Sequence, residues 1–226
     1  MIEFVEYPDQ DMMMLDLANK LAGELKNVLL HDDTATLVVP GGTTPGPIFD
    51  TLCAADLDWA RVHVGLSDER WLPETHDRSN TRLVKERLLT GRAAAAKWLP
   101  LHANAERPED ALAGLAEGIA PHLPISVLLL GMGADMHTAS IFPGADNLDL
   151  ALSSDAPCLV PMRAPGAPEP RVTLSAPVLS AALATHIVIT GAEKRAALEK
   201  AQQLNDPHLA PICAVLPGAV VHWANG

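Results

Sequence analysis

The chain has 226 residues, 48% hydrophobic and 19% charged, the balance of a globular protein able to bury a substantial core and not of a disordered one. A formal net charge of −12 argues against a nucleic-acid surface, and no apolar run approaches the length of a membrane span. Three scattered cysteines without metal-type spacing, Cys53, Cys158 and Cys213, predict buried free thiols in a reducing compartment; the acidic start MIEFVEYPDQ lacks the pattern of a signal peptide, so a cytoplasmic setting is expected.

Residues 9–30 form a long amphipathic pattern, a predicted helix in which Met12, Met13 and Met14 serve as adaptable core packing. Residues 34–40 (TATLVVP) and 61–68 (RVHVGLSD) are short runs rich in Val and Leu, bounded by turn residues, and predict strands buried on both faces of a parallel sheet. A helix is predicted over 79–89 with Ser79 as N-cap, and another over 108–123, which opens on Pro108 followed by two acids. Residues 126–132 (SVLLLGM) give the next strand. The proline-rich stretch 156–180 reads as an elaborated loop with strand pieces. A last strand over 185–191 runs directly into a helix over 192–203. This alternation implies helices covering a largely parallel sheet, and without repeats or a linker a single domain, 1–226, is expected.

In such sheets ligands bind beyond the carboxyl ends of the strands. The segments there are GGTTPG after 34–40, DERWLP after 61–67, GADMHT after 126–131 and GAEKR after 185–190. Gly41 and Gly42 can expose backbone N–H groups to a ligand, and Thr43 and Thr44 add hydroxyl donors; an ordinary glycine turn with a threonine cap is the alternative. Without a Walker lysine or a full G-x-G-x-x-G, this loop does not imply a nucleotide. Asp68, Glu69 and Arg70 are either a solvated charged turn or an arginine that reaches an anion while the carboxylates orient it or bond sugar hydroxyls. Asp135 and His137 are the sharpest signal, because a histidine oriented by a carboxylate can act as a general base near neutral pH. No third ligand of suitable spacing accompanies them, so no metal is expected. Arg171 and Lys194, each by itself an ordinary exposed surface cation, form together with Arg70 a set able to meet a phosphate in an acidic protein.

Taken together, GGTTP, DERWLP with the downstream SNTRLVKERLL, LLGMGADMHTASIFPG, RVTLSAPVLSAA and ITGAEK resemble the 6-phosphogluconolactonases, within the wider group that includes glucosamine-6-phosphate deaminase. The pieces occur in family order over most of residues 37–194. The resemblance implies an α/β fold, a Rossmann-like three-layer α/β/α sandwich with a mostly parallel sheet. It implies hydrolysis of 6-phospho-D-glucono-1,5-lactone in the pentose phosphate pathway, without metal or organic cofactor. Carried over, His137 becomes the general base with Asp135 beside it. Arg70, Arg171 and Lys194 become phosphate contacts, and Gly41 to Thr44 a wall of the substrate site. The expected partner is the phosphorylated sugar lactone, with neither nucleic acid nor membrane, on a monomer or weak homo-oligomer.

Two departures stand out. The family usually reads D-G-H where this chain has Met136, for which a relaxed loop with an ordinary φ is expected. The family also often carries a lysine shortly before the arginine of RVTLS, where this chain has APGAPEP with Glu169, which implies weaker phosphate affinity. The rival functions are a sugar-phosphate deaminase or isomerase and a non-catalytic sugar-phosphate-binding protein. Against the first, deaminases carry GHIAFNEP, with a carboxylate soon after the histidine, where this chain has HTASIFPG.

Overall fold

The computed structural model describes residues 2–226. In chain order the main elements are β1 (Glu3–Tyr7), α1 (Gln10–His31), β2 (Ala35–Val39), α2 (Gly46–Leu52), β3 (Val62–Leu66), β4 (Asp68–Arg70), α3 (Asn80–Arg87), β5 (Lys97–Leu99) and α4 (Leu112–Ile119). They continue with β6 (Val127–Gly131), α5 (Leu148–Leu152), β7 (Leu159–Met162), β8 (Arg171–Leu174), α6 (Ala176–Ser180), β9 (Ala184–Thr190), α7 (Gly191–Leu204) and β10 (Val220–Ala224).

Seven strands form one parallel sheet in the order β1-β10-β9-β6-β2-β3-β5, the Rossmann-like α/β arrangement expected. Every residue of β2 and β3 is buried, which explains their unbroken apolar character. From β2 the chain builds outward through β3 to β5; from β6 it builds the other way through β9 and β10. The order therefore reverses between β2 and β6, and a crevice opens at their carboxyl ends.

Helix α1 begins at Asp9, whose carboxylate accepts a 2.8 Å bond from the Met12 N–H. Met13, Leu17, Leu21 and Leu25 are buried at successive spacings of four, as a helix packed on one face requires. Met12 is the exception in its triplet: it lies 55% exposed, on the outer side of the first turn. The cysteines are free but only half-buried.

The proline-rich stretch contains more order than expected. Its strands β7 and β8 join β4 in a second, antiparallel sheet, and α6 follows them. The run 61–68 is accordingly two strands. At Ser67, which donates its N–H to Val39 and accepts at its carbonyl from the Leu174 N–H, the chain leaves the large sheet for the small one. The predicted helix 108–123 shrinks to α4 between two 3₁₀ turns, because Ala111 offers no side-chain cap and Pro121 lacks an N–H to continue the ladder. Among the described residues, no helix is long and apolar enough to cross a membrane.

Candidate active site

A cleft of about 250 Å³ lies at the carboxyl ends of β2, β6 and β9. The loop after β2 forms one wall. A Cβ at Gly41 would collide with the side-chain amide of Asn80, and Gly42 has φ +86°, so both positions suit only glycine. Among the described residues, the N–H groups of Gly41, Gly42 and Thr43 donate to no protein acceptor, and all three residues line the cleft with Thr44. They are free to meet ligand oxygens.

The loop after β6 presents the histidine. His137 Nδ1 lies 2.5 Å from Asp135 Oδ1, and the same oxygen accepts a 3.2 Å bond from the His137 N–H. The carboxylate thereby holds the ring with Nδ1 inward. The ring also packs against Phe142, 4.3 Å between centroids, while among the described residues Nε2 has no hydrogen-bond partner. Gly133 is needed here because a Cβ would strike both the His137 ring and the Asp135 carboxylate. Burial disfavours the Asp135 anion, but the bonds from the His137 ring and backbone outweigh it and hold the carboxyl below its usual pKa. Asp135 stands behind the histidine, while His137 lines the cleft.

Met136 corrects the sequence expectation. Its φ is +67°, so the loop has kept the left-handed backbone that a glycine would supply. Two bonds fix it: the Met136 N–H donates to Gly133 at 2.9 Å, and its carbonyl accepts from Ile212 at 3.0 Å. The side chain is 7% exposed and joins the hydrophobic core, away from the cleft.

The basic wall joins the small sheet to helix α7. In the β4–β8 ladder Arg70 is opposite Arg171, so a pairing across about a hundred residues sets two guanidinium groups side by side. Lys194 reaches the same cleft from the first turn of α7. Burial weakens the Arg171 cation; Asp68 opposes this, nearby Arg70 adds to it, and the pKa lies below the ordinary arginine value. The Nε groups of Arg70 and Arg171 are buried without a partner.

Two acids have different tasks. Asp68 lines the cleft but is committed to the protein, accepting from Ser140 at 2.6 Å and Ser67 at 2.9 Å and facing Arg171 at 4.0 Å. Glu69, fully buried, accepts from the Asn80 and Thr81 N–H groups and the Thr81 hydroxyl at 2.7–2.8 Å. It thus secures the start of α3 and lies outside the cleft lining. Asn80 is a cleft residue that sequence reasoning missed. Its amide donates to the Asp68 carbonyl at 2.9 Å and backs Gly41, yet in the sequence it is only the residue after a helix cap.

The family of glucosamine-6-phosphate isomerases and 6-phosphogluconolactonases matches residues 8–223. The chain belongs to this family. A 6-phosphogluconolactonase of Pseudomonas aeruginosa is 42% identical over 212 residues, covering 92% of this chain and 88% of that one. One from Rhizobium meliloti is 40% identical, covering 92% of each. The crystal structure of a 6-phosphogluconolactonase from Shewanella baltica superposes with a TM-score of 0.96 at 33% identity, over 99% of this chain and 98% of that one. As a member of a family that combines isomerases with lactonases, this chain has its chemistry decided by the contents of the cleft rather than by the fold.

Proposed function

We propose that this chain is a 6-phosphogluconolactonase, hydrolysing 6-phospho-D-glucono-1,5-lactone to 6-phospho-D-gluconate in the oxidative pentose phosphate pathway. The observation that carries the reading is a carboxylate-held histidine, its Nε2 open, in the same cleft as Arg70, Arg171 and Lys194.

The geometry supports the following division of labour. The three cations take the phosphate, and charge-assisted bonds there anchor the end of the substrate remote from the reacting carbon. The anchored lactone places its carbonyl carbon towards His137. Nε2 accepts a proton from a water molecule as the water oxygen bonds to that carbon, and Asp135 stabilises the imidazolium that forms. Negative charge develops on the carbonyl oxygen, and unpaired N–H donors of the glycine loop are of the kind that receives it. The tetrahedral intermediate then collapses. Its bond to the ring oxygen breaks, and that oxygen leaves as a hydroxyl with the proton from His137. No step in this scheme uses a metal or organic cofactor.

An isomerase or deaminase must open a sugar ring and move a proton between neighbouring carbons, which calls for a second free acid or base. Among the described residues Asp68 is the carboxylate lining the cleft, and it is bound by two serines and faces Arg171. The place after the histidine where deaminases carry a carboxylate holds Phe142, packed on the ring.

The test is the rate of lactone hydrolysis measured against the spontaneous background. A large enhancement with the phosphorylated lactone is expected. Tight ligand binding with no rate above background would identify a sensor, and ammonia release from glucosamine 6-phosphate would identify a deaminase.

A further inference from the structure

Behind the basic wall, outside the cleft lining that Asp68 joins, stands a second carboxylate. Glu169 lies two positions before Arg171, and its side chain is 10% exposed. Its Oε1 is 2.9 Å from an Arg78 terminal nitrogen and 3.6 Å from one of Arg171. Arg78 in turn supports Arg70, whose guanidinium donates a 2.6 Å bond to the Arg78 carbonyl. One carboxylate therefore neutralises two arginines directly and is linked to the third through a backbone oxygen.

The contact with Arg171 is of an unusual kind. That side chain is 9% exposed, and both its counter-charges stand off, Glu169 at 3.6 Å and Asp68 at 4.0 Å. Its Nε has no partner. The guanidinium is thus balanced in charge while part of its hydrogen-bonding capacity is unspent. A buried cation needs a counter-charge when the cleft is empty. A phosphate that reaches Arg171 supplies one of its own, and the resident carboxylate then stands beside a second anion.

We propose that Glu169 is an internal counter-anion for the phosphate subsite: it balances Arg171 and Arg78 in the empty cleft and opposes the phosphate group that enters. It is a specificity-determining residue, lowering affinity for phosphorylated ligands without touching the carbon that reacts. This rests on the reading that Arg171 meets the substrate phosphate.

The test compares Glu169→Gln with Arg171→Ala in the full-length protein, using calorimetric titration with 6-phosphogluconate, inorganic phosphate and unphosphorylated gluconate, and steady-state lactone kinetics. Glu169→Gln keeps the shape and one acceptor oxygen but removes the charge. It should tighten both phosphate ligands about ten-fold, consistent with one close like-charge contact in a partly screened site, leave gluconate within about two-fold, and lower KM more than it alters kcat. Arg171→Ala should weaken both phosphate ligands. Unchanged or weaker phosphate binding in Glu169→Gln, with the expected loss in Arg171→Ala, overturns the counter-anion role and leaves the phosphate reading intact. No loss in Arg171→Ala overturns the phosphate reading, and this inference with it. Should the glutamine variant fail to fold, Glu169→Asp keeps a counter-charge but retracts it. It should tighten phosphate in the same direction by less than ten-fold, and absence of tightening there overturns the proposal.

Discussion

Two of the histidine–carboxylate sites among the described residues are built to opposite ends. At the cleft, Asp135 takes Nδ1 of His137 and Nε2 remains open. Beneath α1, the carboxylate of Glu24 lies 2.8 Å from Nε2 of His186, whose Nδ1 is 2.9 Å from Nε2 of His222. Nδ1 of His222 is 2.9 Å from the Tyr7 hydroxyl, which donates to Asp16 at 2.6 Å. Both rings in this chain are buried, with every nitrogen committed. The same chemical pair thus makes a base in one place and a strut in the other, tying α1 to β1, β9 and β10. What separates them is whether one ring nitrogen is left without a partner and faces a space that a ligand can enter.

The sharpest way to break this comparison is to delete each ring. His137→Ala should lower kcat by roughly 10²–10⁴-fold, the usual contribution of a general base, with little change in melting temperature. His222→Ala should do the reverse, costing about 2–4 kcal/mol of stability through a cavity and stranded polar partners while the folded fraction keeps its turnover. Equal kinetic losses in the two variants would mean that the buried chain belongs to the catalytic apparatus.

Acid should also distinguish the two regions. Burial, the neighbouring His186 and the Lys20 charge, against the pull of Asp16, hold His222 down at a pKa of about 3. In the unfolded chain a histidine titrates near 6.5, roughly. Between those values the unfolded state binds a proton that the native state refuses, so unfolding becomes easier as the pH falls. The contribution is complete above about pH 6.5 and lost by about pH 3, and a shift of that size corresponds to roughly 3–5 kcal/mol. Urea unfolding at pH 7 and pH 4.5 should show the decline in the wild type and a shallower one in His222→Gln. Parallel declines would place the acid sensitivity elsewhere.

The criterion of an uncommitted donor extends to the basic wall. Arg171, with its unpartnered Nε, and Lys194, which forms no ion pair among the described residues, should each read phosphate. Alanine at either position should cost on the order of 1.5–3 kcal/mol in binding phosphorylated ligands and much less for gluconolactone. Equal losses for both substrates would show that these cations bind something other than phosphate.

Much of this is legible in the sequence wherever the signal is local. The spacing of Leu17, Leu21 and Leu25 announces α1, and Ser79 caps α3, accepting from the Arg82 N–H at 3.2 Å. The strand-end motifs brought Gly41, Gly42, Thr43, Thr44, Asp68, Arg70, His137, Arg171 and Lys194 onto one list, and all of them line one cleft. What stayed hidden depends on distant partners. Strand β10 buries His222 only because Tyr7 and His186 arrive from elsewhere in the chain to bond it. The split of 61–68 into β3 and β4 depends on β8, and Glu69 and Asn80 have their roles through contacts eleven and twelve residues away. Periodicity carries no information about such pairings.

Met136 gives the smallest expected effect, and its sign is set by competition. At φ +67° a methionine carries roughly 1–2 kcal/mol of backbone strain that glycine would not. Taken alone, that makes Met136→Gly stabilising. The side chain, however, is 7% exposed and packed in the core. Removing a buried side chain of this size costs about 2–3 kcal/mol. Glycine adds about 0.5–1 kcal/mol through the freedom gained by the unfolded chain. The losses exceed the relief, and a net destabilisation of about 1–2 kcal/mol follows, or a fall in melting temperature of roughly 2–8 °C for a chain of this length. The bonds from Met136 to Gly133 and Ile212 are made by the backbone and survive the change, so the Asp135–His137 pair should keep its geometry and turnover should change little. Thermal denaturation with lactonase kinetics alongside decides the matter. A rise in melting temperature would show that strain outweighs packing at this position, and a loss of turnover at unchanged stability would show that the buried methionine also holds the base in place.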